Sequence, residues 1–79
     1  MDQILTDLGF KYEQTGGGCD CYLRRSPSGT ELYLTTDTGP DAPESMDDFA
    51  ILTWQDANGE VSDQREFLTV RAAIAFLTQ

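Results

Sequence analysis

Seventy-nine residues carrying fourteen acids, five bases and no histidine give this chain a net charge of −9. Hydrophobic residues make up 39% of it, enough for one domain with a small core; single domains of this size bury only about 60% of their unfolded surface, so an enclosed substrate cavity would compete with that core. The charge repels phosphate backbones, whose binding draws on Lys and Arg to displace counterions, and so argues against direct nucleic-acid binding and against an anionic membrane surface.

The start, Met1-Asp2-Gln3, lacks the basic opening of a secretion signal. No stretch approaches the roughly 20 apolar residues of a membrane span, and cytoplasmic residence is expected. Ile4, Leu5 and Leu8 then share a helical face, with Asp2 at the favourable end of the dipole, Gly9 at the C′ position and Phe10 as the apolar contact after it. The alternation Phe10-Lys11-Tyr12-Glu13 predicts a strand. Gly16-Gly17-Gly18 reads as a flexible connection; the Lys and Ser/Thr of a Walker loop do not follow it.

Residues 19–25 form the next predicted strand, with Cys21 and Leu23 on one face and Asp20, Tyr22 and Arg24 on the other. Ser26-Pro27-Ser28-Gly29 is a turn, and 30–36 is the returning strand, with Leu32 and Leu34 opposite Tyr33 and Thr35. Pro40 and Pro43 keep 37–48 out of helix and sheet, apart from one helical turn at 46–48. Residues 49–54 are apolar on both faces, as an interior strand requires. Asp56-Ala57-Asn58-Gly59 is a hairpin turn, and a further strand runs from Glu60 towards Phe67. Thr69 caps a last helix whose stripe is Val70, Ala73, Ile74 and Leu77; Asp63 and Glu66 have capping-box spacing, but the later start leaves Val61 and Phe67 to the strand. The fold class is therefore α+β: an antiparallel sheet of three to five strands with a short N-terminal helix and a C-terminal helix packed on one face, one domain over 1–79.

Catalytic chemistry finds little to work with. Without His there is no general base of the usual kind, and neither the serines nor the cysteines have a nucleophile's context. Paired carboxylates could serve a glycosidase, but this chain is short for a sugar cleft. Cys19 and Cys21 would point to one face of a strand, poorly placed to bond to each other, and a zinc site needs about four ligands, so two buried free thiols are expected. Asp56-Ala57-Asn58-Gly59-Glu60 looks like part of an EF-hand loop, but aligning its glycine puts Trp54 and Arg65 at liganding positions that neither can fill. No cofactor or metal is expected.

The helix, Gly9-Phe10, the glycine connection and the 21–36 hairpin resemble the front half of HicA-type RNase toxins and related small double-stranded-RNA-binding folds. The resemblance covers residues 1–36 and implies an α–β–β start. Those toxins are basic and carry a catalytic His where this chain has Cys19-Asp20, so their activity does not transfer.

Charge distribution is the remaining signal. From Ser26 through Gln64 there is no Lys or Arg, while Glu31, Asp37, Asp41, Glu44, Asp47, Asp48, Asp56, Glu60 and Asp63 all lie there. A one-sign surface steers association with basic partners. The expected function is a non-enzymatic inhibitor that occupies a basic nucleic-acid-binding surface of another protein. In composition the chain is similar to phage-encoded DNA mimics such as anti-CRISPR and anti-restriction proteins. Asp37, Asp41, Glu44, Asp47 and Asp48 are the leading contacts, with Asp56, Glu60 and Glu31 secondary and Tyr22 and Tyr33 as aromatic anchors on a shared outer face. The alternatives are a regulatory or antitoxin-like subunit binding through an apolar sheet face, and a small metal-binding domain. The apolar arc of the last helix, about 160° wide by ideal geometry, can be absorbed by one sheet, so monomer and homodimer both stand open.

Overall fold

The computed structural model describes residues 2–16, 19–36 and 41–79. Their order is α1 (Asp2–Asp7), β1 (Lys11–Gly16), β2 (Cys19–Arg25), β3 (Glu31–Thr35), β4 (Ala50–Gln55), β5 (Val61–Phe67) and α2 (Val70–Leu77). The five strands form one antiparallel meander in the order of the chain, β1-β2-β3-β4-β5. The α+β expectation holds, with the maximum number of strands.

Local chemistry sets each corner. At the end of α1 the Gly9 amide donates to the Thr6 carbonyl and the Phe10 amide to the Leu5 carbonyl. This is a Schellman ending, and Gly9 takes φ 94° to make it. Leu5 and Phe10, which bracket the motif, both enter the core. The β2–β3 and β4–β5 hairpins share one design. Ser26 N donates to Thr30 O and Gly29 N to Ser26 O; Asp56 N donates to Glu60 O and Gly59 N to Asp56 O. Gly29 and Gly59 supply the positive φ that such three-residue loops need before the returning strand. Thr69 caps α2, its hydroxyl accepting from Ala72 N at 3.0 Å, which is the later of the two starts.

The hairpin register decides which faces meet. Arg25 pairs with Glu31 and Tyr22 with Leu34. Tyr33 pairs with Thr53 and Leu34 with Leu52. One face therefore carries Tyr22, Leu32, Leu34, Ala50 and Leu52, which join Leu5, Phe10, Ala42, Val70 and Ala73 in the core. Trp54 and Phe67 lie at its margin beneath Phe76 of α2, with ring centroids 6.3 Å and 5.4 Å from that ring. Cys21 and Leu23 are buried but stand outside this cluster, on the opposite face with Tyr33.

The segment between β3 and β4 belongs to the second layer. Ala42 and Pro43 are buried, and Met46 packs on the core. The Asp48 carbonyl accepts the Val70 amide at 2.8 Å and the Met46 carbonyl accepts the Arg71 amide at 3.0 Å. These are first-turn amides of α2, which have no partner within their own helix. The helical turn expected at 46–48 is instead a turn closed by Asp48 N on Ser45 O. Glu44 N and Ser45 N both donate to the Asp48 carboxylate, which folds the chain back before a helical ladder can start. No helix among the described residues is long and apolar enough to cross a membrane.

The core and the exposed helix face differ in what they tolerate. Leu34→Ala should lower the unfolding free energy by about 2–5 kcal/mol, since Leu34 is almost fully buried. Ile4→Ala, at an exposed position, should cost under about 0.5 kcal/mol. Urea denaturation of the two variants checks the contrast, and equal losses would contradict the assignment of layers.

Candidate functional site

The acids predicted as contacts divide into two groups at opposite ends of the sheet. β4 leaves the 41–48 segment at Ala50 and reaches the Asp56 turn after Gln55, so the two groups are separated by its length, roughly 20 Å. Asp41, Glu44, Asp47 and Asp48 lie at one end; Asp56, Glu60 and Glu31 lie at the other. The described acids of the 26–64 span are divided between these two ends because successive hairpins return the chain to alternate ends. Asp37 lies outside the described residues, as do Gly17 and Gly18.

Within each group, some carboxylates are already occupied. Asp48 accepts from the backbone of Glu44 and Ser45. Asp56 Oδ1 accepts from Asn58 N at 2.9 Å and Glu60 N at 3.0 Å, and so holds its own turn. Glu31 pairs with Arg25 at 2.7 Å and accepts from the Tyr33 hydroxyl at 3.2 Å. The Arg25 hydrogen bond is the main reason that its carboxyl is held below the ordinary value. These three residues are structural acids before they are contacts. Asp41, Glu44, Asp47 and Glu60 are exposed. Asp47 meets Arg71 at 3.6 Å across a solvent-exposed gap, an arrangement worth little to stability.

The three exposed acids at the first end stand on a fixed backbone. Thr36 N donates to Asp41 O at 2.9 Å, Ala42 N donates to the Asp20 carboxylate at 2.9 Å, and the α2 amides hold residues 46 and 48. Asp20 is the clip that the sequence did not announce. Its carboxylate takes the Tyr12 hydroxyl as well as Ala42 N, joining β1, β2 and the acidic segment. The Tyr12 hydrogen bond, seconded by the Ala42 amide, lowers the Asp20 pKa, and the same contact raises that of Tyr12. The signal for this role was the position of Asp20 beside Tyr22, on a face that needed covering, but its partner at residue 42 is set by tertiary structure.

Tyr22 and Tyr33 do not share an outer face. Tyr22 is 6% exposed, in the core beneath the second layer, with Tyr12 edge-on at 5.6 Å between centroids. Tyr33 lies on the opposite face, half-buried. The register of the hairpin, Tyr22 against Leu34, puts Tyr22 with the leucines. Trp54 is likewise on the α2 side. The opposite face carries Tyr33, Leu23, Cys21 and Ile51. At its β1–β2 corner Gly9, Lys11, Glu13, Leu23 and Arg25 line an open depression of about 240 Å³. Burial pushes the Cys21 thiol pKa up, with Glu13 and Asp20 adding to it. No group of three or more Cys, Asp or Glu side chains among the described residues is arranged to hold a metal ion.

Compared with protein-family models, with curated proteins and with solved structures, the chain matches none.

Two outcomes follow for the groups with shifted pKa values. Because the folded Asp20 carboxyl titrates below 3.8, its contribution to stability is present above that pH and is lost as pH falls through the lower folded value. Asp20→Asn should therefore flatten that part of the acid limb and speed amide exchange at Ala42; unchanged exchange would rule out the clip. In a Cys19→Ser background, Cys21 should react with a thiol reagent at neutral pH at least about tenfold more slowly than in urea, being buried and protonated. Equal rates would show that the thiol is accessible.

Proposed function

We propose that the protein is a non-enzymatic interaction module that docks on a basic surface of another protein, of the kind that otherwise binds nucleic acid. The observation that carries this reading is the display of Asp41, Glu44 and Asp47. All three are exposed, while the residues between them are tied down by burial and by backbone hydrogen bonds. Carboxylates on an ordered backbone can meet fixed Lys and Arg groups with less ordering cost than a mobile acidic tail. Their charge, within a chain of net −9, raises the rate of encounter with a basic partner. An inhibitor of the DNA-mimic type, such as one directed at a restriction or CRISPR nuclease, is the specific form proposed. Asp56 and Glu60, at the far end of the sheet, would engage only a partner broad enough to span both ends.

A second reading has its own observation. The sheet face opposite the core presents Tyr33 and Ile51 half-buried, and no helix packs on it among the described residues. A regulatory or antitoxin-like subunit would bind through that face.

Salt separates the two. Proteins captured on the immobilised chain should elute with rising salt and be displaced by double-stranded DNA. The triple variant Asp41→Lys, Glu44→Lys, Asp47→Lys should lose binding on the order of 10–100-fold with an unchanged circular dichroism spectrum. Retained binding by that variant would refute the docking proposal. Salt-insensitive capture abolished by Tyr33→Ala would favour the apolar face instead.

A further inference from the structure

We propose that the free edge of β5 is a self-association surface: two copies of the chain join antiparallel through β5, about a two-fold axis at Gln64, to make one continuous sheet. This goes beyond the basic-surface reading and does not depend on it.

β5 is the last strand of the meander and, among the described residues, pairs with β4 alone. Its residues from 61 to 66 are all exposed. One row of its backbone groups therefore faces outwards, a template for a further strand. The side chains specify which strand. Val61-Ser62-Asp63-Gln64-Arg65-Glu66-Phe67 is self-complementary when read against itself in reverse about Gln64. Asp63 then faces Arg65 of the second copy and Arg65 faces its Asp63, both on the core side of the sheet, where they pair with Trp54 and Leu52 within one chain. Opposite charges directly across a ladder favour pairing and like charges oppose it. Moving the axis by one residue to Arg65 sets that arginine against itself, so the charges select the register as well as the partner. The other edge, β1, offers a shorter pattern about Tyr12, with Lys11 facing Glu13, but there Glu13 is half-buried and the Tyr12 hydroxyl is held by Asp20, whereas every residue from 61 to 66 is exposed.

A second observation points the same way. The large hydrophobic residues that stand exposed, among those described, are Ile4, Tyr12, Val61 and Leu68. Two of these four flank β5. Val61 is 56% and Leu68 84% exposed, and they lie at opposite ends of the strand. The proposed axis brings the Val61 end of each strand beside the Phe67–Leu68 end of the other. Within one chain Asp63 and Arg65 already meet at 3.5 Å in an exposed pair, and Arg65 lies over Phe76 with 5.1 Å to the ring centroid. The arginine is thus held over the strand's core-side face, ready to exchange its carboxylate partner. The register irregularity opposite Trp54 and Gln55 places Ser62 as an extra residue in β5. It confines the regular ladder to the rungs around Gln64, and so gives a small, reversible interface. An axis perpendicular to the sheet keeps both α2 helices, and both acidic segments, on one side of the joined sheet.

Sedimentation equilibrium at physiological salt, where charges more than about 8 Å apart are largely screened, tests this. The mass should rise with concentration from 8.8 kDa towards twice that value. D63R and R65D should each be monomeric, because each sets like charges opposite one another. Their equimolar mixture should dimerise again, as should the double swap; no rearrangement within one chain can reproduce the mixture's behaviour. A wild-type chain that stays monomeric up to its solubility limit, a dimer that survives both single swaps, or a mixture that stays monomeric would each overturn the proposal.

Discussion

Five strands need more cover than two short helices can give. The outer strand axes of this meander are about 19 Å apart, while α1 has six residues and α2 eight. α2 packs against β4 and β5. α1 is held at the other side, where Arg24 reaches the Leu8 carbonyl and lies over the Phe10 ring. Between them Tyr22 and Leu34 would meet water. The segment after β3 fills that gap with Ala42, Pro43 and Met46. Apolar cover supplied by a connection, at roughly 25 cal/mol for each Å² removed from water, is the contribution on which the rest of this small core depends.

That requirement explains the make-up of the segment. A connection that lies on a core must bury some side chains and satisfy its own backbone. Ala42, Pro43 and Met46 turn inwards, and Asp41, Glu44 and Asp47 turn outwards. Asp48 bends its carboxylate back to the amides of Glu44 and Ser45. The acids that remain outside are therefore ordered by packing beneath them. Rigidity and charge arise from one segment, and the same residues serve the fold and the proposed encounter.

Much of this was legible in the sequence, wherever the deciding contact is local. Gly9-Phe10, the Ser26–Gly29 and Asp56–Gly59 turns and the Thr69 cap are all fixed by residues within a few positions of one another. Strand faces were also legible as alternations, but alternation does not say which face is inside. Tyr22 looked as suited to an outer face as Tyr33 did. Only the pairing of Tyr22 with Leu34 assigns it to the core, and that could have been deduced by carrying the register of the 26–30 turn along the hairpin. The division of the acids between two ends was hidden for a related reason: a run without bases is contiguous in the chain, whereas a meander sends alternate connections to opposite ends. Asp20 was illegible as a clip, since its partner Ala42 depends on how the later segment lies across the sheet.

The hydrogen bonds from Val70 and Arg71 to the Asp48 and Met46 carbonyls also tie distant parts of the chain into one unit. The β1–β2, β2–β3 and β4–β5 hairpins close over short connections, a cheap event in loop entropy, whereas β3 and β4 are joined by the long segment 36–49. The seat of α2 joins two parts of the chain that have β4 and β5 between them, and the carbonyls it needs exist in position only once the acidic segment has settled. The helix amides and that segment therefore complete each other, and neither has its partners without the other. Without that step Tyr22 and Leu34 lack the cover of Ala42, Pro43 and Met46, so a change that unseats α2 also bares the middle of the sheet.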